Sequence, residues 1–166
     1  VETGEGLWTV DLSDGIYGAP AVRDGRVYHA TAGGAVVAHD AATGEPRWET
    51  DLFRRFEAPP AVAGGRLYVA ADRVFALDAA TGDRRWTFDA DGGGSAPLVA
   101  TDETVFARGA DGGVHAIDAG SGTARYRFDA GLELSSVIGV GDAVCVATGR
   151  RVRAVDRTAS GVTWSY

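Results

Sequence analysis

An aromatic residue returns along this chain at Trp8, Trp48, Trp86, Tyr126 and Trp164, at intervals of 40, 38, 40 and 38 residues. The residues before it repeat as well: TGEGLW from Thr3, AHDAATGEPRW from Ala38, ALDAATGDRRW from Ala76, AIDAGSGTARY from Ala116 and AVDRTASGVTW from Ala154. About 20 residues upstream of each complete copy stands a second element, APAV at Ala19, PPAV at Pro59, APLV at Ala96 and the worn-down SVIG at Ser136. Between the two elements lies a short apolar run, RVYHAT, RLYVAA, TVFARG or AVCVAT. Three features that keep one register through four copies make the chain an array of a single repeated unit, and the fold follows from that unit.

Each unit divides into four short strands separated by turn residues. The first is centred on the APAV element and the second on pairs such as Val27-Tyr28. The third is the apolar run ending in Ala-x-Asp, as in Val36 to Asp40 or Val74 to Asp78, and the fourth carries the aromatic residue. Gly33-Gly34 and Gly112-Gly113 turn the second strand into the third. In the Asp-x-x-Thr-Gly segment between third and fourth, the carboxylate can accept hydrogen bonds from backbone N–H groups ahead of it, and Gly44 or Gly82 can take the positive φ of a tight turn. No segment holds a 3.6-residue apolar period, so helix should be nearly absent. Four antiparallel strands per period of about 40 residues is the pattern of a β-propeller blade. The small Ala and Gly that fill the strands suit sheets covered closely on both faces. A β-sandwich gives no reason for so regular a repeat. The expected class is all-β, a β-propeller of four-stranded antiparallel blades with four repeats present.

Charge then narrows the function. The chain has 16 basic and 23 acidic residues and a formal charge of −7, the reverse of the basic face that nucleic acid or an anionic membrane surface requires. No stretch approaches the roughly 18 apolar residues of a membrane-spanning helix, so no membrane insertion is expected. Cys145 is the single cysteine, which excludes an internal disulfide framework and a cysteine-based zinc cluster.

The string Ala-x-Asp-x-x-Thr-Gly-x-x-x-Trp resembles the tryptophan-docking motif of pyrroloquinoline quinone (PQQ)-type propeller repeats. It is complete at Ala38, Asp40, Thr43, Gly44, Trp48 and at Ala76, Asp78, Thr81, Gly82, Trp86. The third copy keeps Ala116, Asp118 and Gly122 with Ser121 and Tyr126 in place of Thr and Trp, and the fourth keeps Ala154, Asp156 and Trp164. The family's frequent Lys after the glycine is Glu45, Asp83 and Thr123 here. The resemblance covers essentially the whole chain. It implies that Trp8, Trp48, Trp86, Tyr126 and Trp164, with Asp40, Asp78, Asp118, Asp156, Gly44, Gly82 and Gly122, are structural, each aromatic side chain packing on the neighbouring blade's turn. PQQ-dependent dehydrogenases of this family also carry a vicinal cysteine pair, calcium-binding Glu and Asn residues and a catalytic Asp. A lone Cys145 cannot form that pair, and the chain has no Asn. The likeness is therefore to cofactor-free members, such as the propellers of bacterial sensor kinases and the outer-membrane assembly lipoprotein. It implies a non-catalytic binding or sensing scaffold that presents its blade connections to a protein or small-molecule partner, with no cofactor, in an extracytoplasmic or cell-envelope location. A piece of a PQQ-dependent dehydrogenase and an envelope-assembly adaptor are the alternatives.

The strand pattern sets expected boundaries: the fourth strand of a preceding blade with its connection at residues 1–17, then blades at 18–52, 58–90, 95–130 and 135–166. Five fourth strands against four sets of the other three point to an open arc of a ring that, by resemblance, holds seven or eight blades. Further blades of the same chain, or a homodimer of two arcs, would complete it.

Few residues suggest chemistry. His29, His39 and His115 fall in three different repeat registers, so they are read as satisfied or half-buried strand histidines and not as metal ligands. A calcium loop opening at Asp89 would need a glutamate at its twelfth position, which is Ala100. One segment stands out. The connection between the first two full blades reads Asp51-Leu52-Phe53-Arg54-Arg55-Phe56-Glu57, where its counterpart is small and glycine-rich. Aromatic residues and arginine concentrate at interface hot spots, so Phe53, Arg54, Arg55 and Phe56 are the candidate partner-binding residues. The competing reading has the two phenylalanines capping the core.

Overall fold

Sixteen strands form four separate four-stranded sheets in the computed structural model, which describes residues 6–92, 97–129, 134–140, 143–148, 151–156 and 162–165. The first sheet holds β1 (Ala21–Arg23), β2 (Arg26–Ala30), β3 (Ala35–Asp40) and β4 (Pro46–Asp51); the second β5 (Ala61–Ala63), β6 (Arg66–Ala70), β7 (Val74–Asp78) and β8 (Arg84–Phe88). The third holds β9 (Val99–Ala100), β10 (Thr104–Arg108), β11 (Gly113–Asp118) and β12 (Ala124–Asp129); the fourth β13 (Leu134–Val140), β14 (Ala143–Thr148), β15 (Arg151–Asp156) and β16 (Val162–Ser165). Every pairing is antiparallel between strands consecutive in the chain. The first strands β1, β5, β9 and β13 approach one another in succession, which is the inner rim of successive blades. The described residues contain no helix, hence none long and apolar enough to cross a membrane.

Close stacking explains why the strands do not alternate cleanly. Tyr28, Ala30, Val36 and Ala38 of the first sheet pack against Leu67, Val69, Phe75 and Leu77 of the second. The opposite face of the second sheet, with Tyr68, Ala70, Val74 and Ala76, packs against Val105, Ala107 and Ile117 of the third. A strand covered on both sides can be apolar at every position, and Val74 to Leu77 are all buried. Alanine recurs before the turn aspartate because it stands directly opposite the aromatic residue: Ala38 pairs with Trp48, Ala76 with Trp86, Ala116 with Tyr126 and Ala154 with Trp164. Beside a large indole in the same row, only a small side chain leaves room for the facing sheet.

Residues 1–17 are expected to hold the fourth strand of a preceding blade and its connection; their described part, residues 6–17, forms no strand, because a fourth strand exists only by pairing with a third. They instead begin a strap on the first sheet. The indole of Trp8 donates to the Ala41 carbonyl at 3.1 Å, and the Gly15 carbonyl accepts from the Ala32 N–H at 2.8 Å. The fourth sheet begins at Leu134, one residue before the expected 135.

Candidate partner-binding face

The turns between third and fourth strands set the frame. Asp40 Oδ1 accepts from the Ala42 and Thr43 N–H groups at 2.9 and 3.1 Å, and Asp78 and Asp118 repeat the pattern. The other carboxylate oxygen takes the arginine that precedes the aromatic residue: Arg47 to Asp40 at 2.6 Å, Arg85 to Asp78 at 2.7 Å and Arg125 to Asp118 at 2.6 Å. Arg47 first, and then the two N–H groups, hold the Asp40 carboxyl down to about 2. The repeat pattern alone did not single out these pairs, although arginine stands directly before the aromatic residue in EPRW, DRRW and TARY.

Each turn also receives an indole from the preceding unit. Trp8, Trp48 and Trp86 donate to the carbonyls of Ala41, Ala79 and Ala119 at 3.1, 3.1 and 3.0 Å. Their rings lie on Gly44, Gly82 and Gly122, where a Cβ would come within 2.7 Å of the ring. These glycines hold φ of +75°, +79° and +74°, so both conformation and space demand glycine. The three indoles are half-buried rather than fully buried, since only one ring face meets the turn. Tyr126 is also half-buried, 6.5 Å from Phe128. Asp156 ends β15 and Trp164 lies on β16, but their side chains fall outside the described residues.

The opposite face is built from the β2–β3 type turns and the connections between sheets. The Leu52 and Phe56 N–H groups donate to the Gly34 and Thr31 carbonyls at 3.0 and 3.4 Å, which lays the 52–60 connection across the first sheet's turn. There the structure separates the four candidate residues. Phe56 is 1% exposed and meets Phe75 edge-on at 6.3 Å, so it belongs to the core between the sheets and not to a partner surface. Phe53 is 77% exposed and holds φ of +54°. Arg54 Nε lies 3.1 Å from Asp72, Arg55 Nε lies 2.8 Å from Glu57, and all four side chains are about half-exposed. The Arg55 guanidinium also stands 5.2 Å from the centre of the Tyr17 ring.

Tyr17 is 60% exposed, and Ile16 beside it is exposed too. The sequence pattern does not pick out these two because they belong to the strap, whose path along the 52–60 connection only the fold shows; Gly18 packs on the backbone of Ala58 and Pro59. One signal was available: Ile16 stands 40 residues before Phe56.

Left-handed φ at position 53 follows from the connection itself. The Asp51 carboxylate accepts from the Phe53 N–H at 2.7 Å, and Asp89 accepts from Asp91 at 3.1 Å, with Asp91 at φ of +53°. The third copy has Gly131 at this register. Position 53 is thus the one place in the series where a bulky residue occupies a conformation that suits Gly, Asn or Asp.

All three histidines are buried. His29 and His39 stack with ring centres 5.1 Å apart and planes 12° from parallel, and neither Nε2 has a hydrogen-bond partner among the described residues. His115 lies between the second and third sheets, edge-on to Phe88 and 3.5 Å from Asp91. Among the described residues no group of three or more His, Cys, Asp or Glu could hold a metal ion. Quinoprotein chemistry needs a calcium-bound quinone. The donor set here does not fit one: the single cysteine is Cys145 on β14 and asparagine is lacking.

The profile of the family described as outer membrane protein assembly factor BamB matches residues 1–74 and again residues 70–166. The chain superposes on BamB from Moraxella catarrhalis with a TM-score of 0.82 and 26% identity, covering 96% of this chain and 52% of that one. It is similar in fold to the quinohemoprotein alcohol dehydrogenase ADHIIG from Pseudomonas putida HK5, with a TM-score of 0.75 and 22% identity over 95% of this chain and 34% of the enzyme. The corresponding enzyme of Comamonas testosteroni gives a TM-score of 0.74 and 20% identity over 92% and 35%. The chain thus spans about half the length of the BamB structure and a third of the enzymes. No curated protein matches it. Two profile matches that together span the chain, on four stacked four-stranded sheets, make this protein a member of the PQQ-like β-propeller family that includes BamB.

Proposed function

We propose that the chain is a non-catalytic protein-binding scaffold that engages its partner through the connection face, with Phe53, Arg54, Arg55, Tyr17 and Ile16 as the contact residues, in the cell envelope. Phe53 carries the reading. A large aromatic side chain left in water, on a backbone conformation that disfavours it, contributes nothing visible to the fold, and such local strain concentrates at functional positions. Arginine and tyrosine beside it are hot-spot types, and rigid blades beneath hold the loop in place. The family supports assembly or adaptor work of this kind. A role as the sensor region of a larger signalling protein uses the same face and is the second version of the reading.

Replacing Phe53 with Asn is expected to leave stability unchanged or raise it by up to about 1 kcal/mol through relieved backbone strain, because little ring burial is lost. Thermal unfolding of the purified variant checks this, and a clear drop would show that the ring supports the fold. The binding claim is tested with a photo-crosslinking amino acid at position 53 and, as a control, at Arg84 on an outer strand, in cells that make the protein. A discrete adduct at position 53 alone, lost when Arg54 and Arg55 are both alanine, is the expected result. Equal labelling from both positions, or an adduct indifferent to the two arginines, refutes the assignment.

A further inference from the structure

The first sheet has one face unlike the others among the described residues. Its side toward the second sheet carries Tyr28, Ala30, Val36 and Ala38. The ladder puts Val27, His29, Val37 and His39 together on the other side, since Val27 pairs with His39 and His29 with Val37. In the second sheet the same register holds Leu67, Val69, Phe75 and Leu77, all buried against the first sheet. Two aliphatic positions are therefore imidazoles here. They are nonetheless 5% and 4% exposed. The strap is tied at the Ala41 end of β3 through Trp8 and at the Ala32 end through Gly15, which sets residues 8–15 along the two ends of β3, the strand that carries His39.

The hydrogen bonds define what an added proton would meet. The Gly44 carbonyl can only accept, so His39 Nδ1, 3.0 Å away, carries the hydrogen and donates it. The Nε2 atom of His39 and that of His29 are both buried without an acceptor among the described residues. A proton added at either would place a cation in an enclosed site, beside a second imidazole and without a partner.

We propose that the stacked His29–His39 pair is an acid-sensitive latch whose protonation releases the 6–15 strap from the first sheet and unseats Trp8 from its turn. The charged groups nearby do not neutralise the pair. Asp40 is committed to Arg47 at the strand end. Glu49 pairs with Val37 on the same face but at the exposed outer strand. Of the strap's own acids, Asp11 is exposed and the Asp14 carboxylate lies against Gly33. Burial first, and then His39, push the His29 imidazole below its usual value. A group lowered in the closed state binds protons more readily once opened, so closure is fully favourable above the ordinary imidazole value of about 6.5 and weakens as the pH falls through that range.

Hydrogen exchange of the whole chain at pH 7.5 and pH 5.0, corrected for intrinsic rates, tests the latch. The strap peptide over residues 6–15 is expected to exchange about threefold faster or more at the lower pH, while residues 61–78 keep their protection. The His29→Val, His39→Leu variant, carrying the residues of positions 69 and 77, should lose that response. If the double variant folds poorly, His29→Val alone should reduce it. An unchanged strap at pH 5.0, acid exchange rising equally in residues 61–78, or a variant that retains the wild-type response would overturn the proposal.

Discussion

Phe56→Ala is expected to destabilise the protein by about 4 kcal/mol, whereas Phe53→Ala, three residues earlier, should change stability by less than about 0.5 kcal/mol. The two phenylalanines share a connection and differ only in where their rings go. Phe56 fills the space between the first and second sheets, in a cluster with Tyr28, Val36, Leu67, Val69 and Phe75. Removing its ring leaves a cavity bordered by two sheets that are each held by their own ladders, so collapse onto the void is limited. Phe53 stands in water and buries little. Chemical denaturation of the two single variants decides the matter. Equal losses would mean that the connection packs as a unit and that Phe53 is not free for a partner.

Trp86→Ala carries the second large effect, about 3 kcal/mol, with a melting temperature lower by roughly 10 °C. The half-buried indole gives up apolar contact with Gly122 and with Tyr68, whose ring lies 5.7 Å away, and the 3.0 Å hydrogen bond to Ala119. The Ala119 carbonyl loses that donor as well. Because Trp86 of the second sheet docks on the third sheet's turn, the loss falls on the coupling between those two sheets, and the unfolding transition should broaden as well as shift. A sharp melt within a degree or two of the parent would show that the strands alone hold the sheets together. Trp86→Phe, which keeps a ring but no N–H, should recover most of the apolar share.

The arrangement of turns is legible in the amino-acid order because it is local. Asp40, Asp78 and Asp118 bond N–H groups two and three residues ahead, and the glycine that follows meets a requirement of its own backbone. Period, strand count and the alanine opposite each aromatic residue are likewise written in spacing. Residues 6–12 depart from the expected strand for the converse reason: spacing can mark where a fourth strand would lie, but a strand also needs its neighbour.

What the connection residues do was decided only by tertiary structure. Phe53 and Phe56 are the same residue type in the same loop, and no periodicity of a turn separates an inward ring from an outward one. The second sheet's Phe75 draws Phe56 in, while the Asp51 hydrogen bond turns Phe53 out. Tyr17 joins that surface from a strap some 36 residues earlier, and His29 meets His39 through a diagonal pairing of two strands. Repeat spacing carries information about what each residue does within its own unit. The proposed partner-binding face and the proposed histidine latch arise where units meet, and there the facing sheet or strap sets the environment.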